Sequence, residues 1–247
     1  MERIDRLLKG DESTYITQLP AKGSVSVDLQ DAAFQWGQDK FALKPAALQI
    51  NSGEFAVVVG RIGSGKSSLL SAICGEMPLT SGRGYVYGRI GYVSQKPWIM
   101  NTTLRENILC GRPFDQDFYR SVIDACALAD DIKLFPAKDL SEIGHKGINL
   151  SGGQKVRLAL ARAVYSRADI YVLDDLLAAV DAYVERQLVD NVLVGNGILA
   201  GKTRILVTHA EHIVPYADKV MTLEDGHTTS MRHYASRVAN NIGHWFR

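Results

Sequence analysis

Phe55-Ala56-Val57-Val58-Val59-Gly60-Arg61-Ile62-Gly63-Ser64-Gly65-Lys66-Ser67 decides the fold of this 247-residue chain. Phe55 to Val59 is an unbroken apolar run, as expected of a strand buried on both faces of a parallel sheet. Gly60 to Ser67 then matches the phosphate-loop pattern GxxxxGKS/T, which chance supplies about once in a hundred chains of this length. Ser67 to Glu76 reads as the helix that follows. A glycine loop between a strand and a helix lets backbone N–H groups wrap a phosphate chain, and the helix N-terminus adds partial positive charge. In that setting Lys66 reaches the β- and γ-phosphates and the Ser67 hydroxyl ligates Mg²⁺. Gly60, Arg61, Ile62, Gly63, Ser64, Gly65 and Ser68 complete the candidate nucleotide-binding stretch.

Further along, Ile170-Tyr171-Val172-Leu173 is an apolar strand that ends in Asp174-Asp175. Asp174, at the strand end, is placed to hold Mg²⁺ through water. Ser151-Gly152-Gly153-Gln154 opens a helix predicted to run to Tyr165. Free N–H groups, a serine hydroxyl and the helix dipole make that opening an anion site. Arg204 to Val207 is another buried-strand candidate, and His209 stands at its end.

Between these landmarks, strands alternate with helices. Val184 to Leu193 and the apolar residues of Asp115 to Phe135 have helical spacing. Tyr85-Val86-Tyr87 and Ile90-Gly91-Tyr92-Val93 are short strands, and Val220 to Leu223 with Asp225-Gly226 reads as a final edge strand. The alternation predicts an α/β core with a mainly parallel sheet. Ser24 to Leu29, and a hairpin of Phe34-Gln35-Trp36 with Phe41-Ala42-Leu43, add an antiparallel β-rich opening. Residues from about 97 to 156 read as a helical insertion. Residues 1–23 read as a linker or short helix, 24–230 as the domain, and 231–247 as a tail without assignment.

Composition excludes several classes. A formal net charge of +1 gives no footprint for nucleic acid. Cys74, Cys110 and Cys126 are odd in number and lack CxxC spacing, so they read as reduced structural thiols. No apolar run approaches the roughly 20 residues needed to span a bilayer, and the start, Met1-Glu2-Arg3-Ile4-Asp5-Arg6, lacks the apolar core of a signal peptide. The chain reads as soluble as it stands, and as a piece of something larger.

The phosphate loop, Leu150-Ser151-Gly152-Gly153-Gln154 and Ile170 to Asp175, in this order, resemble the nucleotide-binding domain of an ATP-binding-cassette (ABC) protein from Ser24 to about Gly226. The resemblance implies a P-loop NTPase core with an antiparallel β subdomain and an inserted α-helical subdomain. It implies ATP and Mg²⁺ as cofactors. It implies Trp36 as the aromatic that stacks on adenine, and Gln95 as the glutamine that touches Mg²⁺ and γ-phosphate. It implies Asp174 as a metal-holding carboxylate and His209 as the histidine that contacts γ-phosphate. Ser151, Gly152, Gly153 and Gln154 would serve the nucleotide held by a second nucleotide-binding domain, docked head to tail, and Asp181 would cross that interface. Pro97-Trp98-Ile99-Met100-Asn101, Leu104-Arg105-Glu106-Asn107-Ile108 and Gly147-Ile148-Asn149-Leu150 are similar to the first such domain of C-subfamily exporters. That implies transmembrane domains as partners, the cytosolic face of a plasma or organelle membrane as location, and ATPase-driven export as function.

Asp175 departs from the family pattern, in which efficient hydrolysis uses glutamate at this position. Aspartate is shorter by one C–C bond, about 1.5 Å. Misplacement by about 1 Å costs on the order of a hundredfold in rate. The own site of this domain is therefore expected to be slow. His145 and Leu176 also stand where glutamate and proline are usual. Two other readings stay open: a binding-only regulatory module, favoured by Asp175, and an ABC ATPase outside transport.

Overall fold

The structure, a computed structural model, describes residues 14–37, 41–144 and 149–233. The charged start, most of the 1–23 segment, Gln38-Asp39-Lys40, His145, Gly147-Ile148 and the tail beyond 233 lie outside the described residues.

β4 (Phe55–Val59), β9 (Ile170–Asp174) and β10 (Thr203–Val207) are buried almost along their whole length. Such strands need cover on both faces, and they occupy the middle of a six-stranded sheet. β11 (Lys219–Glu224) flanks β4, β12 (His227–His233) closes that side, and β6 (Ile90–Val93) closes the other, in the order β12-β11-β4-β10-β9-β6. Every pairing is parallel except β11 with β12. Val58 is level with Val207, Val207 with Asp174, and Leu173 with Val93. The carboxyl ends of four neighbouring strands therefore finish at one edge, where ligands of open α/β sheets bind.

Alternation along β4 sorts the core into two layers. Phe55 and Val57 join Leu173, Leu206 and the helical side of the molecule, whereas Ala56 and Val58 join Val172, Ile205 and the opposite side. On that opposite side lie α1 (Lys66–Ile73), which buries Leu69, Leu70 and Ile73, and a second sheet of four strands. That sheet contains β1 (Thr17–Leu19), β2 (Val25–Gln35), β3 (Ala42–Asn51) and β5 (Leu79–Tyr87), ordered β1-β5-β2-β3. The helical side holds α2 (Leu104–Leu109), α3 (Gln116–Ala125), α4 (Ala129–Leu134) and α5 (Gly152–Tyr165). A short antiparallel pair, β7 (Thr102–Thr103) with β8 (Glu142–Ile143), joins the two ends of the α2–α4 stretch. α6 (Ala182–Leu188) follows β9.

Several boundaries differ from the sequence expectation. The strands expected at Ser24–Leu29 and Phe34–Trp36 merge into one, β2. Asp31 adopts φ 47°, and the bulge there shifts the inward set from Val27 and Leu29 to Ala32 and Phe34. Thr17–Leu19 is a strand inside the segment read as linker. Ile16 anchors it against Gly84, where an added Cβ would lie 2.4 Å from the Ile16 side chain. Val220–Leu223 is not at an edge, because the Asp225-Gly226 turn adds β12 outside it. Asp115–Phe135 is two helices, broken where Ala127 takes φ 53°. The helix expected over Val184–Leu193 starts at Ala182 and ends in a π-helical turn, Val189–Leu193.

Candidate functional site

Strand ends bring the candidate residues together. The phosphate loop leaves β4, Gln95 follows β6, Asp174 and Asp175 end β9, and His209 follows β10. Ile62, Gly63, Gly65, Lys66, Ser67, Ser68, Gln95, Asp174, Asp175 and His209 line a cleft of about 440 Å³, with Phe41 and Val207. Phe41 carried no sequence signal beyond being an aromatic after a turn.

Two glycines are required by the loop. Gly60 has φ 153°, and a Cβ on it would sit 2.3 Å from the Leu223 carbonyl oxygen. Gly65 has φ 102°, and its Cβ would meet the Phe41 ring at 2.4 Å. Phe41 therefore rests on the loop and walls the cleft. Lys66 is buried, and its Nζ donates to the carbonyl oxygens of Gly60 and Arg61, both at 2.8 Å. Burial pulls the Lys66 ammonium below the usual lysine range, while the charges of Asp175 and Asp174 pull it back up. Ser64 Oγ is buried without a hydrogen-bond partner, which leaves polar capacity in the loop unused.

Ser67 Oγ donates to Asp174 Oδ1 at 3.2 Å. Burial holds the Asp174 carboxyl above its ordinary value; the Ser67 bond lowers it, the Asp175 charge raises it, and Lys66 lowers it. Asp175 has left-handed backbone, φ 47° and ψ 36°, and its N–H donates to the Val207 carbonyl at 2.9 Å. Gln95 Nε2 donates to Asp175 Oδ2 at 3.3 Å, and Asp175 Oδ1 is buried without a partner. Among the described residues no group of three His, Cys, Asp or Glu side chains gathers as a protein-only metal cage. One carboxylate beside one hydroxyl, all oxygen, fits Mg²⁺ that takes its remaining ligands from water and phosphate.

Trp36 does not line the cleft but stands at its margin. It is 39% exposed, and its Nε1 donates to Ser68 Oγ at 3.1 Å. Phe34 faces inward and is buried.

The Ser151–Gln154 turn and Asp181 do not line the cleft either. Ser151 caps α5: its Oγ accepts from the Gln154 N–H at 3.2 Å, and its own N–H donates to Gln154 Oε1 at 2.8 Å. That capping box satisfies two backbone donors and leaves the N–H groups of Gly152 and Gly153 at the helix opening. Asp181 caps α6, accepting from Tyr183 and Val184 N–H at 3.0 Å each; the Val184 bond is the largest cause of its lowered carboxyl pKa.

Cys74, Cys110 and Cys126 are unpaired, and burial pushes the Cys74 thiol up to about 12. No helix among the described residues is long and apolar enough to cross a membrane.

The family profile described as "ABC transporter" matches residues 43–178. ABC transporter C family member 8 of Dictyostelium discoideum is 49% identical over 203 residues, which is 82% of this chain and 13% of that protein. ATP-binding cassette sub-family C member 2 of Homo sapiens is 43% identical over 240 residues, 96% of this chain and 16% of that protein. Multidrug resistance protein mrp-7 of Caenorhabditis elegans is 49% identical over 205 residues, 81% of this chain and 13% of that protein. The chain thus spans 13–16% of the length of these relatives.

Proposed function

The chain belongs to the ABC transporter family, and on that premise we propose that it is the first of two nucleotide-binding domains of a C-subfamily exporter. It binds MgATP, docks head to tail with the second domain, and uses closure of the pair to drive transmembrane domains. The observation that carries the binding role is the gathering of Lys66, Ser67, Asp174, Gln95 and His209 around one cleft from four separate strand ends.

Each side chain has a task in this arrangement. The loop N–H groups wrap the phosphates, and Lys66 exchanges two carbonyl oxygens for phosphate oxygens. Bound Mg²⁺ supplies charge neutralisation, and Ser67, Asp174 and Gln95 are the residues to hold it. His209 faces the γ-phosphate end. Asp175 holds Gln95 and is short for polarising water, which makes this a slow site.

Trp36 stacks on adenine, its ring edge fixed by the bond to Ser68. Trp36→Ala is expected to weaken MgATP binding by roughly 1–3 kcal/mol, read by titration of the 247-residue chain. Unchanged affinity removes the stacking role. For fluorescence the confounders are Trp98, whose ring the Arg162 guanidinium covers at 4.0 Å, and Trp245; both are replaced first.

The Ser151–Gln154 turn serves the partner's nucleotide. Gly152 supports this, because the packing of the described residues does not require a glycine there. Among the described residues, apart from its chain neighbours and the backbone of α5 itself, no atom lies within 4 Å of a Cβ at Gly152, and its φ is not left-handed. Close approach of a phosphate from another domain does require one. Gly152→Ala is expected to leave the thermal stability of this chain within about 0.5 kcal/mol of wild type. In the full transporter it should lower ATP turnover. A large loss of stability in the isolated chain would assign Gly152 to folding instead.

A further inference from the structure

We propose that Asp131 is a positioning residue for the Ser151–Gln154 turn that opens α5, the signature segment of the family, acting through the Gln154 amide. Asp131 lies in the first turn of α4, remote in sequence from α5. Its carboxylate is largely buried and spends both oxygens on α5: Oδ1 accepts from Gln154 Nε2 at 2.7 Å, and Oδ2 accepts from Arg157 Nη1 at 2.5 Å. Arg157 also donates to the Ala127 carbonyl in the left-handed turn between α3 and α4. The two helices are thereby tied to one face of the signature helix.

The chemistry of the amide gives this tie its function. A primary amide has a donor end and an acceptor end, and only its surroundings decide which end points where. A carboxylate accepts only, so Asp131 demands the NH₂ end of Gln154. The carbonyl end is then presented to the Ser151 N–H, where it accepts at 2.8 Å and closes the capping box. Reversal of the amide would set NH₂ against N–H and open the box. Asp131 thus selects the one orientation of Gln154 that holds Ser151 Oγ and the Gly152 and Gly153 N–H groups in place. The inference rests on the proposed trans role of the signature for its functional consequence, but the brace itself is a property of this chain.

Asp131→Asn is nearly isosteric but offers one oxygen. The charged Arg157 guanidinium takes that oxygen, since charge-assisted hydrogen bonds are the stronger ones. The NH₂ group that the substitution introduces then faces Gln154 and favours the reversed amide. Amide hydrogen exchange of the 247-residue chain at Ser151 and Gln154 is expected to rise roughly fivefold, the scale of a lost helix cap. Asp131→Glu, which keeps an acceptor-only group, should retain most of the protection. Asp131→Ala combined with Arg157→Met removes the carboxylate without stranding a buried charge, and should raise exchange at the same two amides. MgATP affinity at Lys66 should not change in any of them. Wild-type exchange at Ser151 and Gln154 in both Asp131→Asn and the double variant overturns the brace.

In the full transporter, Asp131→Asn should lower nucleotide trapping at the partner's phosphate loop and leave occupancy at Lys66 intact. Raised exchange with unchanged trapping at the partner's loop would overturn the trans role of the signature, a failure distinct from that of the brace.

Discussion

Lys66→Ala should remove MgATP binding, weakening it by roughly 2–5 kcal/mol or more, the scale for truncating one partner of a buried, hydrogen-bonded charge pair. The lysine is buried beside two carboxylates, and its Nζ donates to the Gly60 and Arg61 carbonyl oxygens. Its stability term has the opposite sign to its binding term. Burial places the folded pKa below the unfolded one, so the native state is the poorer proton binder. That penalty is present below the folded pKa and fades as pH rises through it. Deleting the ammonium at neutral pH therefore relieves a cost that phosphate would otherwise offset, and the variant should stay folded. Thermal unfolding with and without MgATP separates the effects. The wild-type midpoint should rise with ligand by mass action, and that of the variant should not move. An undiminished ligand-induced rise in Lys66→Ala contradicts the assignment of the loop.

Asp175→Glu should raise hydrolysis at this domain's own site in the full transporter, by up to about a hundredfold if reach alone limits it. The backbone sets a counter-effect. Asp175 sits at φ 47°, a left-handed conformation in which aspartate is found several-fold more often than most residues. Glutamate there should cost the fold up to about 1 kcal/mol. The longer side chain also has to displace Gln95 from its 3.3 Å contact with Asp175 Oδ2. Site-resolved single-turnover measurement reads the gain, and a denaturant titration reads the cost. No gain in hydrolysis, with the nucleotide still bound, would mean that something other than reach makes this site slow.

The residues that share the cleft stood out in the chain because the pattern GxxxxGKS/T fixes residue types at fixed spacing. Gly60 and Gly65 stand where a Cβ would strike Leu223 and Phe41, and Asp174 ends a strand whose every residue is buried. Parallel strands also announce themselves, since burial on both faces writes an unbroken apolar run in Phe55–Val59 and Ile170–Leu173. What escaped was set by distant pairing. The β2 bulge at Asp31 depends on Gly82 across the sheet, where a Cβ would lie 2.2 Å from the Asp31 carbonyl oxygen. β1 needs Gly84 to admit Ile16, and β11 is interior only because β12 folds back beside it. Phe41 and Asp131 escaped for the same reason. One gains its place from Gly65, the other from Gln154 and Arg157, and no local periodicity records either contact.

In the proposed division of labour, Lys66 holds this domain's own nucleotide, while Ser151 serves the partner's. Site-resolved trapping of labelled nucleotide in the full transporter carrying Ser151→Ala tests it most directly. The substitution removes a hydroxyl from the N-terminus of α5. Turnover at the partner's loop should fall, while nucleotide remains bound at Lys66. An emptied Lys66 site with turnover at the partner's loop intact would mean that the signature acts within its own chain, and would contradict the claim.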